Sequence, residues 1–323
     1  MRDMAEVGVR EFGSGDLGGA ARVLAERHGR HRRRHPLLRG DFEDVEVARV
    51  AVTEAWEAEG ASGTVAVSGG EVVGYLLGAP KGPVWGPNVW VEAAGVAGRD
   101  AEVIRDLYGV AAERWVAEGK TAQYVLVPDD DSLVDAFFRL GFGSQHAHAI
   151  RGPFDGEVAV PAGMTVRRAE RRDIGVLAEL DLVLPKHQGA SPVFSAGEVP
   201  TVEEAVADWE ESVDDPEYAT FVAEVNGRVI GSAIGCSLEK SSAHQGLARP
   251  DNAGFLGFAA VFPEDRGHGG GRVLGETVLK WCAASGYDSV VTDWRVANLL
   301  SSRTWPRLGF VPTFQRLHRL IGY

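Results

Sequence analysis

The sequence is poor in cysteine and has no long apolar stretch. Two cysteines in 323 residues, without a Cys-x-x-Cys spacing, are too few for a disulfide framework, and we expect Cys236 and Cys282 to be buried free thiols. No apolar run approaches the roughly 18 residues that a membrane helix requires, so no membrane partner is predicted. The N-terminus, MRDMAEVGVREFG, lacks the apolar stretch of a signal peptide, which predicts a cytoplasmic protein.

Positive charge is also scarce, with 33 basic against 46 acidic residues and a net charge of −13. Nucleic-acid binding in general needs a basic face, so the sequence predicts no nucleic-acid partner and is compatible with a cationic small substrate. One segment departs from this average. RHGRHRRRHPLLR, from Arg27 to Arg39, contains six arginines and three histidines. We interpret it as a solvated helix end and loop in preference to a site for an anion or a partner.

The chain contains an internal repeat. TVAVSGGEVVGYLLG and FVAEVNGRVIGSAIG both have the pattern of a β-hairpin, and they end 157 residues apart, at Gly78 and Gly235. The same offset joins VREFGSGDL at Val9 to VRRAERRDI at Val166. Further on, FFRLGF ends at Phe142 and WPRLGF at Phe310, which is a wider offset, so the second copy has gained residues in between. That window contains a glycine-rich loop.

The repeat predicts two domains of similar architecture. RGPFDGEVAVPAG, residues 151–163, has proline and glycine at both ends, so we expect domains at 1–150 and 164–323 with a linker at 151–163. Each half has the order strand, helices, hairpin strands, strand, helix, strand, helix, strand. This order predicts a mixed α/β fold in which each domain is a twisted mixed sheet flanked by helices.

The glycine-rich loop, PEDRGHGGGRVL, lies at a predicted strand-to-helix junction. Residues 254–262 form an apolar run of strand length, and residues 272–285 have helical periodicity with Gly286 at the helix stop. A helix start exposes unpaired N–H groups and glycines let a ligand approach them, which suits phosphate oxygens. Glycine richness alone would favour a flexible turn without a ligand. The spacing fits neither a P-loop nor a dinucleotide-binding fold.

The residues at this junction resemble the GNAT superfamily of acetyl-CoA-dependent N-acetyltransferases. The signature of that family is Arg/Gln-x-x-Gly-x-Gly/Ala after a strand that often ends in Val-x-Pro-x-x-Arg, and VFPEDRGHGGGRVL has this spacing. A second signature, an asparagine placed well ahead of a Gly-Phe pair, is met by NLLSSRTWPRLGF, which runs from Asn298 to Phe310. The hairpin VNGRVIGSAIG is similar to the strand pair before the signature. The resemblance covers about residues 165–321.

The resemblance implies acetyl-CoA as the acyl donor. Backbone amides from Arg266 to Gly271 would hold the pyrophosphate, and the main chain of the strand ending at Val261 would contact the pantetheine arm where it splays from the strand SVVTDW. His268 is equally readable as a solvated loop histidine, and Asn298 as a helix N-cap. The residues assigned to the acetyl-CoA site are Ala260, Val261, Arg266, Gly267, His268, Gly269, Gly270, Gly271, Arg272 and Asn298.

The implied reaction is direct attack of a small-molecule amine on the thioester. The family commonly has a tyrosine seven residues after the asparagine as the proton donor, and this chain has Trp305, whose indole does not readily release its proton. Asp293 is the candidate base, although a strand-end carboxylate paired with Arg295 is the simpler interpretation, and Glu224 is second. HQGASPVF, from His187, lies where the family shapes its acceptor site. Alternatives are an acyl-CoA-binding sensor or scaffold without catalysis, and a protein or peptide N-acetyltransferase.

The first half resembles a degenerate copy. Residues 92–103 lack the signature, Asp130 replaces the asparagine, and Phe137 stands at the tyrosine position. We expect this half to bind no CoA and to complete the substrate cleft, as in tandem GNAT proteins such as mycothiol synthase. His146 and His148 are more typical of core or surface histidines than of a metal pair, so no metal is predicted. A monomer or homodimer is expected.

Overall fold

The computed structural model describes residues 6–195, 197, 199–242 and 244–322. These residues divide into two compact units. The first unit contains the described residues up to His148, the segment His244–Pro250 and the chain from Pro312 onward. The second unit contains the described residues from Ala149 to residue 242 and from Asp251 to Val311.

The second half of the chain has the predicted order of elements, and the first half differs in having two short strands, where one was predicted, between the hairpin and the next helix; short 3₁₀ turns occur in several connections. The first half forms β1 (Val7–Glu11), α1 (Leu17–Arg34), α2 (Val45–Glu57), β2 (Ser62–Ser68), β3 (Glu71–Gly78), β4 (Asn88–Val91), β5 (Val96–Gly98), α3 (Ala101–Ala117), β6 (Ala122–Pro128), α4 (Asp131–Arg139) and β7 (Gly143–Arg151). The second half forms β8 (Met164–Arg168), α5 (Ile174–Asp181), α6 (Val183–Gly189), α7 (Val202–Ser212), β9 (Tyr218–Val225), β10 (Arg228–Ser237), β11 (Ala253–Val261), α8 (Gly270–Ala284), β12 (Ser289–Arg295), α9 (Ser301–Arg307) and β13 (Val311–Leu320).

The first unit contains a sheet with the strand order β1-β2-β3-β5, covered on both faces. Successive side chains of a strand point to opposite faces, and the core follows this rule. Val65, Tyr75 and Leu77 pack with α1 and α2, whereas Ala66 and Leu76 pack with α3 and α4. The mixed α/β fold predicted from the repeat is therefore confirmed.

The last strand of the second repeat lies in the first unit. β13 pairs antiparallel with β6, from Phe314 opposite Pro128 to Leu320 opposite Ala122. The strand order in this part of the unit is β4-β6-β13-β7. The sequence placed residues 164–323 in one domain, whereas the compact units group β13 with strands of the first repeat. The linker at 151–163 stays a prediction about where the repeats meet.

The basic segment at the end of α1 is a solvated helix end only in part, because Arg30, Arg33 and Arg34 are exposed whereas the other face of the helix is buried. Arg27, His28 and His31 are at most 3% exposed. The Arg27 Nη1 atom donates a hydrogen bond to the Val96 carbonyl, and the His28 Nε2 atom lies 2.7 Å from the Arg39 carbonyl oxygen. Polar side chains therefore occupy the buried face of α1, because backbone carbonyls next to the helix bind them.

The second unit has the strand order β12-β11-β10-β9-β8. Leu177 of α5, Trp209 of α7 and Val222 of β9 belong to one buried cluster on the sheet. Cys236 and Cys282 are buried and free, as predicted. Within the described ranges, no helix is both long enough and apolar enough to cross a membrane.

Candidate functional site

Two parallel strands of the second unit pair at their starts and then diverge. In this fully described stretch, β11 and β12 pair from Ala253 opposite Ser289 to Phe255 opposite Val291, and β11 continues unpaired on that side to Val261. The Thr292 hydroxyl donates to the Leu256 carbonyl at 2.9 Å, at the point where the strands separate. A gap at the carboxyl ends of parallel strands is a common place for a ligand in an α/β sheet.

The glycine-rich loop connects β11 to α8 with its backbone open. Gly267 and Gly269 both have φ near 87°, a left-handed conformation that residues with a Cβ atom rarely adopt. Gly269 is the N-cap of α8 and has no side chain to accept from the first turn. The N–H groups of Gly270 to Arg272 therefore have no acceptor within the helix and can bind an anion.

The loop, the strand end and two other helices line one cavity of about 370 Å³. The structure brings to this cavity ten of the residues that the sequence singled out: Ala260, Val261, Arg266, Gly267, Gly269, Gly270, Gly271, Arg272, Asn298 and Trp305. Two others do not line it. His268 is exposed, with its Nδ1 atom 3.3 Å from the Asp265 carbonyl oxygen, and Asp293 lies half-buried on β12.

Basic residues exceed acidic ones around the cavity. Arg266, Arg272 and Arg307 line it, and Asp265 is the acidic residue among the described lining residues. The Asp265 carboxylate is paired, because Arg228 Nη2 lies 2.5 Å from its Oδ1 atom. Arg272 is paired as well, with its Nη1 atom 2.7 Å from the Glu276 carboxylate, so Arg266 and Arg307 carry the remaining positive charge. That charge favours an anionic ligand such as a pyrophosphate.

Asn298 and His187 form a polar pair at another wall of the cavity. The Asn298 side chain is buried, and its Oδ1 atom accepts from the backbone N–H of Leu300 at 3.1 Å and of Ser301 at 3.3 Å. Asn298 therefore caps α9, as the N-cap interpretation predicted. The Nε2 atom of His187 lies 3.2 Å from the same oxygen. Because that oxygen accepts, Nε2 carries the hydrogen, and Nδ1 of the neutral ring keeps a lone pair.

Trp305, at the position of the family's tyrosine, is held by packing, and Glu224, the second candidate base, is held by an ion pair. Trp305 is 8% exposed, with its ring 6.4 Å from that of Phe310 in an edge contact. Glu224 accepts from Arg167 Nη2 at 2.6 Å, which occupies its carboxylate. Neither Glu224 nor Asp293 lines the cavity formed by the described residues.

Sequence reasoning missed the contribution of α6. Val183, Leu184 and His187 line the cavity, although only the segment from His187 was singled out, for the acceptor side. The signal was the repeat itself. These positions lie 157 residues after Glu26, Arg27 and Arg30, and the two arginines belong to the basic segment. Which face of a short helix approaches a loop depends on tertiary packing.

In the first unit, the rings of His146 and His148 lie 5.8 Å apart, and His148 lies 4.6 Å from His244. No group of three or more histidine, cysteine, aspartate or glutamate residues that could hold a metal is found in the part of the chain that the structure describes. The prediction of no metal stays a prediction.

Comparison with known families identifies the domain in which most of this cavity lies. Residues 186–310 match the model described as the acetyltransferase (GNAT) family. The second half of the chain contains a GNAT-family domain. This GNAT domain includes the loop, both diverging strands, His187, Asn298 and α9, so most of the cavity lies inside it. The prediction of a GNAT-type acetyltransferase is confirmed at the level of the family.

Two solved structures share the fold over nearly the whole chain. A GCN5-related N-acetyltransferase from Sphaerobacter thermophilus aligns with a TM-score of 0.53 and 16% identity, over 98% of this chain and 97% of that chain. A GCN5-related glucosamine N-acetyltransferase region of a fungal multi-domain GH3 β-N-acetylglucosaminidase aligns with a TM-score of 0.52 and 18% identity, over 98% of this chain and 38% of that chain. A search of curated protein sequences gives no significant match. The likeness to mycothiol synthase stays a prediction.

Proposed function

We propose that the GNAT domain binds acetyl-CoA and transfers its acetyl group to the amine of a small molecule by direct attack on the thioester. The observation that carries the proposal is the open first turn of α8, which faces a cavity of about 370 Å³ with an excess of arginine. When bound, acetyl-CoA supplies an acetyl group activated as a thioester.

The residues present fit this donor. The N–H groups of Gly270 to Arg272 suit the pyrophosphate because no side chain caps them. Gly271 leaves room, since a Cβ atom built there would meet nothing closer than a Val261 methyl at 4.0 Å. The unpaired edge of β11, at Ala260 and Val261, offers main-chain groups to the pantetheine amides in the manner of an added strand.

His187 is the side chain that we assign to receive the amine proton. An unperturbed alkylamine has a pKa of about 10.4, so its proton must leave before or during attack. Asn298 holds the His187 ring through Nε2, which leaves Nδ1 as the basic atom. The new C–N bond forms as the C–S bond breaks, the amine proton goes to His187 directly or through water, and the departing thiolate takes a proton from water.

Trp305 favours one second candidate function, an acyl-CoA-binding protein without turnover. An indole N–H donates a hydrogen bond but does not supply a proton to a thiolate. Steady-state release of thiol from acetyl-CoA, measured with a panel of small amines and of peptides, separates the possibilities. Release with a small amine supports the proposal. Binding of CoA without release on any acceptor supports the sensor, and release with peptides alone supports a peptide acetyltransferase.

Substitution of Trp305 sharpens this test. If catalysis proceeds without a protein acid, Trp305→Tyr should raise kcat by about tenfold, because a phenol can protonate the leaving thiolate. Trp305→Phe removes the N–H without adding an acid and is the control, with kcat expected near that of the native protein. Equal kcat for the tyrosine and phenylalanine variants would show that loss of the thiolate does not limit the rate.

A further inference from the structure

The first unit contains a smaller cavity at the place in its repeat that corresponds to the acetyl-CoA cavity. It measures about 60 Å³ and is lined by α1, the β5–α3 junction and the start of α4. By the offsets of the repeat, Arg30 lines it at the position of His187, and Asp130 lines it at the position of Asn298. The two cavities are therefore built from matching positions of the two repeats, with different side chains.

Arg27 is the side chain that distinguishes the smaller cavity. It occupies the position of Leu184 and is 3% exposed. Its Nη1 atom donates to the Val96 carbonyl, while its Nε and Nη2 atoms have no hydrogen-bond partner among the described residues. Burial lowers the pKa of Arg27 to about 10, so the guanidinium remains charged at neutral pH. A buried charge with unpaired donors is costly unless an anion or water binds it.

The two carboxylates at the cavity have other partners. Asp130 accepts from the backbone N–H and the hydroxyl of Ser132, at 3.0 Å and 2.5 Å, and it pairs with Arg34 at 3.3 Å. Asp100 accepts from the Val103 N–H at 3.0 Å and pairs with Arg99 at 3.1 Å. Neither carboxylate forms an ion pair with Arg27, so the charge of its guanidinium is left for another group.

The size and charge of the cavity limit what that group is. Arg27, Arg30 and Arg99 line it against Asp100 and Asp130, which leaves one net positive charge. A water molecule needs about 10–15 Å³ of such space, so about 60 Å³ holds a few waters or one small ion. The adjoining N-terminus of α3, a helix of 17 residues, adds the positive end of its dipole.

We propose that this cavity is a binding site for a small oxyanion, a phosphate, sulfate or carboxylate, held by the guanidinium of Arg27. A planar guanidinium presents two parallel N–H groups to such an ion and binds it bidentately. CoA is too large for the space. The site is independent of the proposed acetyl transfer, since all of its residues belong to the first unit.

Isothermal titration of the full-length protein with inorganic phosphate, sulfate and acetate tests the site. The titrations are made in the presence of saturating CoA, so that phosphate does not compete for the α8 turn, and also in its absence. Arg27→Met removes the guanidinium while keeping a long side chain. Arg33→Met, at an exposed position of the same helix, is the matched control. We expect Arg27→Met to weaken binding of at least one oxyanion by tenfold or more, and Arg33→Met to leave it within twofold.

Two results would overturn the proposal: no binding of any of the three ions by the native protein, or equal binding by native protein and Arg27→Met. Binding of phosphate but not of acetate would identify the free inorganic ion as the ligand. Binding of acetate but not of phosphate would identify a carboxylate. Affinity for CoA should be the same in Arg27→Met and the native protein, so failure of the acetyl-CoA proposal is seen separately.

Hydrogen exchange provides a readout that needs no substitution. If an oxyanion binds at Arg27, the backbone amides from Gly98 to Val103 in the native protein should exchange more slowly when phosphate, sulfate or acetate is added. This measurement decides the matter even if Arg27→Met does not fold. Unchanged exchange across these amides with all three ions would contradict the site.

Discussion

The strand-to-helix junctions of the two repeats differ in length and in what caps the helix. In the second repeat, residues 262–269 separate β11 from α8, and the N-cap is Gly269. In the first repeat, Arg99 and Asp100 alone separate β5 from α3, and the Asp100 carboxylate caps the helix by accepting from Val103. One helix covers its first turn with its own side chain, and the other leaves that turn open to a ligand.

This difference shows how one scaffold gains or loses a ligand site. The helix, its dipole and the preceding strand are present in both repeats, so they are not sufficient for a diphosphate site. The second repeat differs in having a longer loop and glycines at the start of α8, so that no side chain covers the first turn of this helix. The extra residues that the sequence revealed in the second copy are thus expected to carry the specificity for CoA.

The largest expected effect follows from closing the open turn of the second repeat. Gly271→Glu places a carboxylate at the start of α8 without backbone strain, since Gly271 does not have a positive φ. We expect the dissociation constant for CoA, measured by titration calorimetry, to rise at least 100-fold. Gly271→Ala should stay within tenfold. Unchanged affinity in a folded Gly271→Glu protein would contradict the assignment of the pyrophosphate.

A second prediction concerns His187, whose counterpart in the first repeat is Arg30. His187→Arg replaces a titratable ring by the permanently charged side chain found at Arg30, which cannot accept a proton. We expect kcat to fall by about 100-fold, with CoA affinity changed by less than threefold. His268→Arg, which replaces an exposed histidine of the loop, is the control, and its kcat should equal that of the native protein.

A further substitution keeps the contact with Asn298 and removes the basic atom. In His187→Gln, the amide can still donate to Asn298, but it cannot take a proton. We therefore expect kcat to fall about as far as in His187→Arg, with CoA affinity within threefold of the native value. A glutamine variant with the native kcat would exclude His187 as the proton acceptor.

Removal of the cap in the first repeat should affect stability without creating a second CoA site. Asp100→Ala deletes the carboxylate that accepts from Val103, and loss of such a cap costs about 0.5–2 kcal/mol in the free energy of unfolding. Asp106→Ala, at an exposed position of α3, should cost almost nothing. Calorimetry should give one CoA per chain in both variants. Binding of two CoA molecules per chain by Asp100→Ala would show that the Asp100 cap alone prevents the first repeat from binding CoA.

An effect on stability of similar size concerns Asp181, which stands where the first repeat has the fully buried Leu24. Burial raises the pKa of Asp181 to about 6, against a hydrogen bond from Trp209 that lowers it. The native state thus holds this proton more tightly than the unfolded state, whose value is 3.8. Stability from this group is present below pH 4 and is lost as the pH rises to about 6.

Asp181→Asn removes this pH dependence while keeping an oxygen for the Trp209 N–H, 2.6 Å away. We expect the variant to be more stable than the native protein by about 1–2 kcal/mol above pH 6, after allowance for partial exposure, and equal to it near pH 3. Glu211→Gln, on the exposed face of α7, is the control and should change stability by less than about 0.5 kcal/mol, the size of an ordinary surface substitution. Urea unfolding at several pH values measures both.

The sequence predicted the turns and helix ends, which depend on the backbone conformation of a few neighbouring residues. The hairpin turn at Asn226-Gly227, the helix stop at Gly286 and the open loop at Gly269 all have the positive φ that their residue types allow. The cavity residues on the loop and on α9 followed from the signature spacing. These features depend on a few neighbouring residues, which is why the sequence alone reveals them.

Long-range packing set the features that the sequence did not predict. Arg27 lies in a run of basic residues, and nothing in that run shows that Val96 provides a carbonyl for it. The approach of α6 to the loop likewise depends on tertiary packing, since the two segments are far apart in the chain and line one cavity. Whether acetyl-CoA binds, and whether Asp293 or His187 acts as the base, stay predictions for the experiments above.

Because β13 pairs with β6, the first repeat alone does not contain every strand of the first unit. A gene fragment that ends near residue 150 encodes every helix of the first unit but not the strand that fills the place beside β6. Such a fragment would expose an unsatisfied strand edge and is expected to aggregate.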